Sequence, residues 1–317
     1  MTSSDHPRVR VILNPSAASG AALYKVSQIG ETLRRFDLPH EIVLTRARGH
    51  ARELARAAAE DKVDVIAVVG GDGTLNEVIQ AYLSPSGEAI PGPDLALIPS
   101  GTGGDFKKTL GMSGALEEAV GRIRHGQRRP IDLGVLRISA PQGDESLRAF
   151  VNIASFGIGG QVDAIVNESR LKNTRIGGKA AFFLATARAM ATYKNASVRV
   201  KVDGKAWFEG PIFNVAIANG RFFGGGMMIA PHADPSDGRF EIVAMKDLSR
   251  MDVLKMTSRV YQGAHLGSEG IQVTSGTRVE AEPIHPWASV LLDVDGEQPG
   301  KLPLKASLLK GALTFRA

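Results

Sequence analysis

The spacing of hydrophobic residues changes near the middle of the chain. Up to about residue 134, short apolar runs alternate with stretches whose apolar residues recur every three or four positions. The run VDVIAVVGG (63–71) is nearly continuous in valine and isoleucine, as in a parallel strand that is buried on both faces. The stretch 20–36 instead places its apolar residues on one helical face. This alternation predicts an open, mostly parallel α/β sheet.

The predicted elements of this first half follow one another closely. We expect helices in the segments 20–36, 49–62, 74–83 and 114–126. We expect strands in the segments 8–15, 40–47, 63–71, 94–99 and 129–138. The short connections between them are typical of consecutive strand–helix units in one sheet.

The second half has a different pattern. Short runs of alternating polar and apolar residues, such as SVRVKVDGKAWFEG (197–210) and RFEIVAMKD (239–247), are separated by turn residues. This pattern predicts an antiparallel, sandwich-like domain. We expect helices within it near residues 179–193 and 252–262. The domain boundary is predicted just after the DLG tripeptide, near Gly134.

The composition favours a globular protein of two domains. The chain has 317 residues, of which 43% are hydrophobic, and a chain of this length seldom forms a single core. It contains no cysteine, which excludes disulfides, thiolate metal sites and cysteine nucleophiles. The net charge of +5 suits phosphate-bearing ligands or anionic lipid surfaces. Aromatic residues make up only 6% and are not interleaved with a basic stripe, so we expect no nucleic-acid partner.

Membrane insertion is not predicted from the sequence. The first 15 residues lack the apolar run of a secretory signal. The most apolar helical stretch, 178–193, contains Lys179 and Arg188 and is shorter than the roughly 20 apolar residues that span a bilayer. We therefore expect a cytoplasmic protein that contacts the inner face of the membrane only peripherally. The sequence leaves open whether the chain forms a homodimer.

The segment VVGGDGTLNEV (68–78) joins a strand to a helix through three glycines and one carboxylate. Glycines let backbone N–H groups approach an anion without obstruction by a Cβ atom, and the following helix N-terminus adds further donors. Thr74 is in a position to cap that helix. Asp72 would repel a phosphate unless a divalent cation lies between them. We predict a loop that holds a nucleotide phosphate and its Mg²⁺; the alternative is a tight turn with only a capping role.

A second loop repeats this design. IPSGTGGDF (98–106) also follows a buried strand and contains glycines, Thr102 and Asp105. Ligands of open α/β sheets bind beyond the carboxyl ends of the strands, so two such loops at one edge can flank a single nucleotide. Asp132, in RPIDLG, adds a third carboxylate, which by itself would be an ordinary turn residue.

Asp-Gly pairs mark turns in the second half. The pair at Asp203 lies between two alternating runs and predicts a simple β-hairpin. The pair at Asp295 looks similar but is followed by Glu297, which in this context is most simply a solvated turn residue. APHADPSDGRFEIV places Asp234 and Asp237 on one loop, which suits either a Mg²⁺ or Ca²⁺ site or an Asp-capped turn.

Several common catalytic motifs are missing from the sequence. It has no G-x-x-x-x-G-K-[ST] motif, so it is not a P-loop nucleotide hydrolase. FGIGGQV (156–162) has glycines but lacks the G-x-G-x-x-G pattern, so a nicotinamide cofactor is not expected. The seven histidines are scattered and form no H-E-x-x-H motif, which argues against a zinc hydrolase.

Seven motifs together resemble the diacylglycerol-kinase catalytic family, in particular its bacterial lipid kinases, which are related to sphingosine and ceramide kinases. The motifs occur in family order and cover nearly the whole chain: NPSAASG, GGDGTLNEV, PSGTGGDF, IDLG, VNIASFGIGG, APHADPSDGRFEIV and LDVDGE. GGDGT alone is less specific, because NAD kinases share it. The resemblance implies an α/β nucleotide-binding domain (1–134), an antiparallel β-sandwich-like acceptor domain (135–302) and a C-terminal segment (303–317) that returns to the first domain.

The resemblance also implies a set of site residues. The residues implied to bind ATP are Thr45, Gly71, Asp72, Gly73, Thr74, Leu75, Asn76, Glu77, Thr102 and Asp105. By the same resemblance, a network of Mg²⁺, water and carboxylates includes Asp72, Asp105, Asp132 and Asp237. A structural Mg²⁺ is implied on the Asp237 side chain and on the backbone carbonyls of Asp234 and Arg239. Glu297 is implied as the general base, with Asp72 as a second catalytic residue.

The activity implied by the resemblance is ATP-dependent phosphorylation of a lipid hydroxyl. The alternatives are a kinase of a soluble acceptor such as NAD, and a non-catalytic nucleotide-binding or lipid-binding protein. The lipid itself is not predicted, although Phe222, Met227 and the segment 182–184 are candidates to line an acyl chain. Core packing is the alternative for each of these side chains. The family often has Asn where Gly104 stands here.

Overall fold

The computed structural model describes residues 6–20, 22–99, 104–139, 145–168, 184, 186 and 188–317. The chain divides into two compact units. Unit 1 comprises Met1–Leu133 and Leu309–Ala317, and unit 2 comprises Gly134–Leu308. Each unit contains a hydrophobic core of its own.

Unit 1 is built on a parallel sheet. Its elements are β1 (Val9–Leu13), α1 (Val26–Arg35), β2 (His40–Leu44), α2 (His50–Glu60), β3 (Val65–Gly70), α3 (Asp72–Ile79), β4 (Asp94–Pro99), α4 (Asp105–Thr109), α5 (Leu116–His125) and the start of β5 (Arg128–Ser139). The strand order is β4-β3-β1-β2, and all three pairs are parallel. The C-terminal segment adds a fifth strand, parallel to β4 through Phe315 and Leu95.

The near-continuous apolar runs of this sheet reflect burial on both faces. Val11, Val65 and Val69 form one core with the apolar sides of α1 and α5. Residues of opposite orientation, such as Ile12 and Ile66, lie outside that cluster but are also buried, because side chains alternate along a strand. The predicted parallel α/β sheet is confirmed.

The C-terminal segment is anchored in unit 1 by apolar and ionic contacts. The ring of Phe315 is buried and packs edge-to-face on Phe106, with ring centroids 5.6 Å apart. Arg316 and Arg128 each donate to the buried carboxylate of Asp94 at 2.8 Å. The last nine residues therefore complete the core of this unit.

Unit 2 is dominated by antiparallel strands. Its elements are the rest of β5, β6 (Glu145–Phe150), β7 (Ile153–Gly157), α6 (Ile158–Glu168), β8 (Ala196–Val202), β9 (Lys205–Ala218), β10 (Phe222–Phe223), β11 (Met227–Met228), β12 (Phe240–Lys246), α7 (Arg250–Tyr261), β13 (Ile271–Gly276), β14 (Arg278–Pro283), β15 (Leu292–Val294) and the first part of β16 (Leu304–Arg316). The strand order is β13-β12-β9-β8-β14-β16, and β7 pairs with both β9 and β15.

The turns and core of unit 2 follow the alternating sequence pattern. Inward-facing residues of several strands form one cluster in which Phe150 and Phe240 stack, with ring centroids 5.5 Å apart. Asp203 and Gly204 connect β8 to β9 with positive φ angles of 49° and 78°, as the two-residue hairpin requires. The predicted β-sandwich-like second domain is confirmed.

Helices were predicted less accurately in unit 2. The helix expected near 252–262 is α7, but α6 follows directly on the glycine-rich segment FGIGG and was not predicted. The helix expected near 179–193 lies largely outside the described residues, and within them residues 188–192 are helical. Across the described part of the chain, no helix combines the length and the apolar character that crossing a membrane requires.

Candidate active site

The strands that lead into the two glycine-rich loops end side by side in unit 1, whereas residues 100–103 of the second loop lie outside the described residues. β3 and β4 are parallel neighbours, with Gly70 opposite Pro99 at their carboxyl ends. α3 begins directly after β3 at Asp72, and α4 begins after β4 at Asp105. The Asp72 carboxylate accepts hydrogen bonds from the backbone N–H groups of Asp105 (2.8 Å) and Phe106 (3.3 Å). As predicted, the two strands that lead into these loops end at the same edge of the sheet.

The carboxylate of Asp72 lies in an environment that disfavours negative charge. Desolvation by burial raises the pKa of Asp72, and the nearby charge of Asp105 raises it further. The two backbone donors and Lys108 oppose this rise in pKa. Lys108 is itself bound to Asp105, at 2.8 Å between Nζ and Oδ1. A further cation at this edge would relieve the remaining repulsion between the two carboxylates.

The three glycines of the first loop differ in their surroundings. A Cβ atom at Gly70 would lie 2.5 Å from Oγ1 of Thr74 and 2.7 Å from its Cβ, so packing alone requires glycine there. A Cβ atom at Gly71 or Gly73 would meet no described heavy atom within 4 Å. Packing against the described residues therefore does not require glycine at these two positions, which leave the backbone open to a ligand.

The predicted capping role of Thr74 is wrong. The helix begins two residues before the threonine, at Asp72, and Gly71 occupies the N-cap position. Thr74 is buried inside the first turn, and its hydroxyl accepts a hydrogen bond from Nδ2 of Asn14 at 3.2 Å. The N–H groups of Thr74 and Leu75 both donate to the Gly71 carbonyl. An anion at the helix N-terminus would accept hydrogen bonds from the backbone N–H groups that precede Thr74 at the start of α3.

The other predicted nucleotide-binding residues occupy different environments. The side chains of Leu75 and Asn76 are buried within unit 1. Glu77 accepts a backbone N–H from α2 at 3.3 Å, and Thr45 directly follows β2. Thr102 lies outside the described residues.

Asp132 has a structural contact inside unit 1. The residue lies in β5, is only 1% exposed, and accepts the N–H of Gly311 at 2.7 Å. Its carboxylate therefore joins β5 to the C-terminal segment. This contact was not expected from the sequence, because the two residues are 179 positions apart.

The loop before β12 contains the other predicted metal ligands. Oδ1 of Asp234 accepts hydrogen bonds from the backbone N–H and the hydroxyl of Ser236. Asp237 accepts the backbone N–H of Arg239 at 2.8 Å. The Arg239 guanidinium donates to Ser275, and because it is a cation with no acceptor atom, the only group of Arg239 that could ligate a metal is its carbonyl. The loop therefore has the short-range hydrogen bonds of Asp-capped turns.

The donor groups of this loop are compatible with a hard cation. No group of three or more His, Cys, Asp or Glu side chains in the described residues could hold a metal by itself. Mg²⁺ and Ca²⁺ do not require such a group, because they accept single carboxylates together with backbone carbonyls and water. Asp237, exposed and followed by a tight turn, provides donors of this kind.

Glu297 lies on a tight turn of unit 2. Its backbone pairs with Val294, with an N–H to carbonyl bond in each direction at 3.0 and 2.8 Å. Asp295, inside the turn, has a positive φ of 50° and is buried. Its carboxylate accepts three backbone N–H groups, from Val151, Asn152 and Ile153. The buried hydrogen bonds of Asp295 therefore fix this turn, and Glu297 is half-buried on it.

Sequence reasoning missed a pair of acids beneath this turn. The carboxyl groups of Asp163, in α6, and Asp293, in β15, are in hydrogen-bond contact. Asp293 also accepts the hydroxyl of Ser155 at 3.3 Å and the N–H of Gly296 at 2.9 Å. Desolvation by burial raises the pKa of Asp293, and two carboxyl groups can share a hydrogen bond only if one carries a proton. The sequence contains one signal of this acid pair: Asp293 is a charged residue between the two apolar residues of β15, and all three are buried.

Two family models match consecutive parts of the chain. Residues 8–136 match the diacylglycerol kinase catalytic domain. Residues 152–317 match the YegS C-terminal NAD kinase beta sandwich-like domain. The first match contains both glycine-rich loops, and the second contains the Glu297 turn.

Similar proteins cover almost the whole chain. A diacylglycerol kinase of Bacillus subtilis (strain 168) is 28% identical over 300 residues, which span 93% of this chain and 91% of the relative. A Xanthomonas euvesicatoria protein named "Probable lipid kinase YegS-like" is 31% identical over 294 residues, 91% of this chain and 89% of the relative.

Known structures show the same architecture. A crystal structure of a Bacillus anthracis str. Sterne protein aligns with a TM-score of 0.78 and 25% identity, over 99% of this chain and 96% of that one. Yeast NADH kinase aligns with a TM-score of 0.53 over 98% of this chain and 83% of that one, but at 10% identity this likeness concerns the fold alone. The chain therefore belongs to the bacterial lipid kinase family in which a diacylglycerol kinase catalytic domain is joined to a YegS C-terminal β-sandwich-like domain.

Proposed function

We propose that this protein transfers the γ-phosphate of ATP to the free hydroxyl of a diacylglycerol-like lipid. The observation that carries the proposal is the contact between Asp72, at the start of α3, and the N-terminus of α4, where its carboxylate accepts the N–H groups of Asp105 and Phe106. Family membership supports a kinase, and the names of two relatives, diacylglycerol kinase and lipid kinase, support a lipid acceptor.

In this proposal, unit 1 binds the donor nucleotide. The phosphates approach the open backbone at Gly71 and Gly73 and accept hydrogen bonds from the first N–H groups of α3. Thr45, Glu77 and Thr102 contact the rest of the nucleotide, as the family resemblance implies. Most of the catalytic effect of such a loop comes from positioning and from neutralising charge on the phosphate oxygens.

Mg²⁺ fits the carboxylates of this site. The positive charge of Lys108 offsets only part of the electrostatic repulsion between the carboxylates of Asp72 and Asp105, so a cation would stabilise this pair. Mg²⁺, when bound, would neutralise negative charge on the phosphates that ATP brings. We propose that Asp72 and Asp105 hold it; the family resemblance also implies Asp132 and Asp237 in this network. A second, structural cation would be held by Asp237 and the carbonyls of Asp234 and Arg239.

Unit 2 supplies the proton acceptor. We assign Glu297 as the general base, as the family resemblance implies, and it is half-buried on a turn whose position is fixed by the buried carboxylate of Asp295. Glu297 removes the proton from the lipid hydroxyl as its oxygen attacks the γ-phosphorus in line. The new O–P bond forms as the bond between the γ-phosphorus and the bridging oxygen breaks, and ADP leaves. The lipid acceptor itself is reached by peripheral contact with a membrane surface.

The acceptor class can be tested with ATP labelled in the γ-phosphate and supplied with Mg²⁺. Three reactions receive a total lipid extract, NAD, or no acceptor, and each is then separated into organic and aqueous phases. We expect the label to enter the organic phase only when lipid is present. Label in NAD would identify a soluble-acceptor kinase, and no transfer in any reaction would identify a non-catalytic binding protein; either result would overturn the proposal.

A further inference from the structure

α7 carries hydrophobic residues on two opposite sides. On its inner side, Met256 and Val260 are buried and Val253 is partly buried within one core cluster of unit 2. The same cluster includes Phe223 and Met227 of the β10–β11 hairpin, so the helix packs against that hairpin. The inner residues are enough to explain how α7 is attached to the unit.

The outer side of α7 is apolar and open to solvent. Met251, Leu254 and Tyr261 are 60%, 63% and 49% exposed. At about 100° per residue, these three positions fall within roughly 80° of one another around the helix axis. Core packing does not explain the stripe, because the buried residues of α7 lie on the opposite side.

The charges near the stripe are mainly basic. Lys255 and Arg259 are exposed and lie along one flank of it. The one acidic residue of α7, Asp252, is also exposed and interacts with Lys255, and it forms a capping box with Ser249. Arg259 donates to the hydroxyl of Ser268 at 3.3 Å, so α7 keeps a small excess of positive charge on this flank. The outer side of α7 thus combines apolar side chains with adjacent positive charge, as in helices that lie in a membrane interface.

A second copy of the chain is a less suitable partner for this surface. Three side chains provide far less than the roughly 1,200–2,000 Å² buried in a stable interface. Two copies meeting face to face would also bring Lys255 and Arg259 close to their own counterparts, and like charges repel. An anionic surface complements the same residues without this repulsion.

We propose that the outer side of α7 docks the protein on an anionic lipid bilayer. Met251 and Leu254 enter the headgroup–acyl boundary, Tyr261 lies at the headgroup level, and Lys255 and Arg259 bind anionic headgroups. The inference rests on the proposed function in one respect, since a lipid acceptor is the reason for the protein to reach a membrane. It assigns that contact to residues other than Glu297 and those of the glycine-rich loops.

The test measures binding to vesicles in the absence of ATP, so it does not depend on catalysis. The wild type, the double variant Met251→Ser/Leu254→Ser and the variant Lys255→Glu are sedimented with phosphatidylcholine vesicles that contain or lack phosphatidylglycerol. Val273→Ser, which alters another exposed apolar residue of unit 2, is the control. We expect about tenfold or greater weakening in the double variant, clear weakening in Lys255→Glu, and no change in the control.

Wild-type affinity in the double variant would overturn the inference, as would an equal loss in Val273→Ser. Equal binding of the wild type to neutral and anionic vesicles would overturn the role given to the basic residues. Phosphorylation of a short-chain acceptor dissolved in water distinguishes failure of the docking inference from failure of the proposed kinase function. The double variant should keep wild-type turnover on that acceptor, whereas failure of the proposed function would abolish turnover in both proteins.

Discussion

At the scale of single residues, the first glycine-rich loop separates structural from functional requirements. Gly70 is needed because Thr74 occupies the space in which a side chain would lie. Gly71 has an extended backbone and Gly73 lies in the first turn of α3, and neither is crowded by described atoms. If these two glycines have no part in binding a ligand, alanine should replace them without a change in ATP affinity. If they allow a phosphate to approach, alanine should impair binding.

Alanine substitutions test this distinction. Gly70→Ala should lower the free energy of unfolding by about 1–3 kcal/mol, because an added methyl group overpacks the turn. Gly71→Ala and Gly73→Ala should leave stability within about 1 kcal/mol of the wild type but weaken ATP binding. Urea denaturation and calorimetric titration with MgATP measure the two effects. Wild-type ATP affinity in both Gly71→Ala and Gly73→Ala would argue against a phosphate-binding loop.

At the scale of elements, the β15 turn is held by two buried acidic groups. Asp295 receives three backbone N–H groups, whereas Asp293 shares a hydrogen bond with Asp163 of α6. The second arrangement requires a proton on one of the two carboxyl groups. The turn that carries Glu297 therefore rests on a group whose charge depends on pH.

The acid pair makes stability depend on pH in a defined direction. Burial raises the pKa of Asp293 above its ordinary value of 3.8, so folding stabilises the protonated form. This contribution is fully present below the ordinary value and is lost as the pH rises through the folded-state pKa. Asp163→Asn should reduce this loss, because an amide can donate to Asp293 without a titrating proton. The free energy of unfolding, measured by urea denaturation at a series of pH values, checks the expectation.

Asp203→Asn is the matched control, since Asp203 occupies the other Asp-Gly turn. Desolvation alone would raise the pKa of Asp203, but hydrogen bonds from Thr277 and Arg278 outweigh it and hold the pKa below its ordinary value. The stability from this group is therefore present above the ordinary value and is lost as the pH falls. Asp203→Asn should change the free energy of unfolding only at the acidic end of the pH series. An unchanged loss of stability in Asp163→Asn as the pH rises would show that the acid pair does not titrate as proposed.

At the scale of the whole molecule, hydrophobic spacing was sufficient to predict both fold classes. The juxtaposition of the two strand ends that lead into the loops was also predictable, because the carboxyl ends of adjacent parallel strands share one edge. Contacts between residues far apart in the sequence were not predictable. Asp132 and Gly311, or Asp163 and Asp293, meet only after the chain has folded, and local patterns carry no information about such pairs. The start of α3 was misplaced because Thr74 is a common capping residue, whereas Gly71 takes that position here.

In the proposed mechanism, the glycine-rich loop of unit 1 binds the donor phosphate and Glu297 of unit 2 accepts the proton. The most direct test measures ATP affinity and lipid phosphorylation for the wild type and Glu297→Gln in the same preparations. We expect unchanged ATP affinity and a kcat lowered by roughly 10²–10⁴-fold, because the amide cannot accept the proton of the hydroxyl. Full turnover in Glu297→Gln, or loss of ATP binding together with activity, would contradict it.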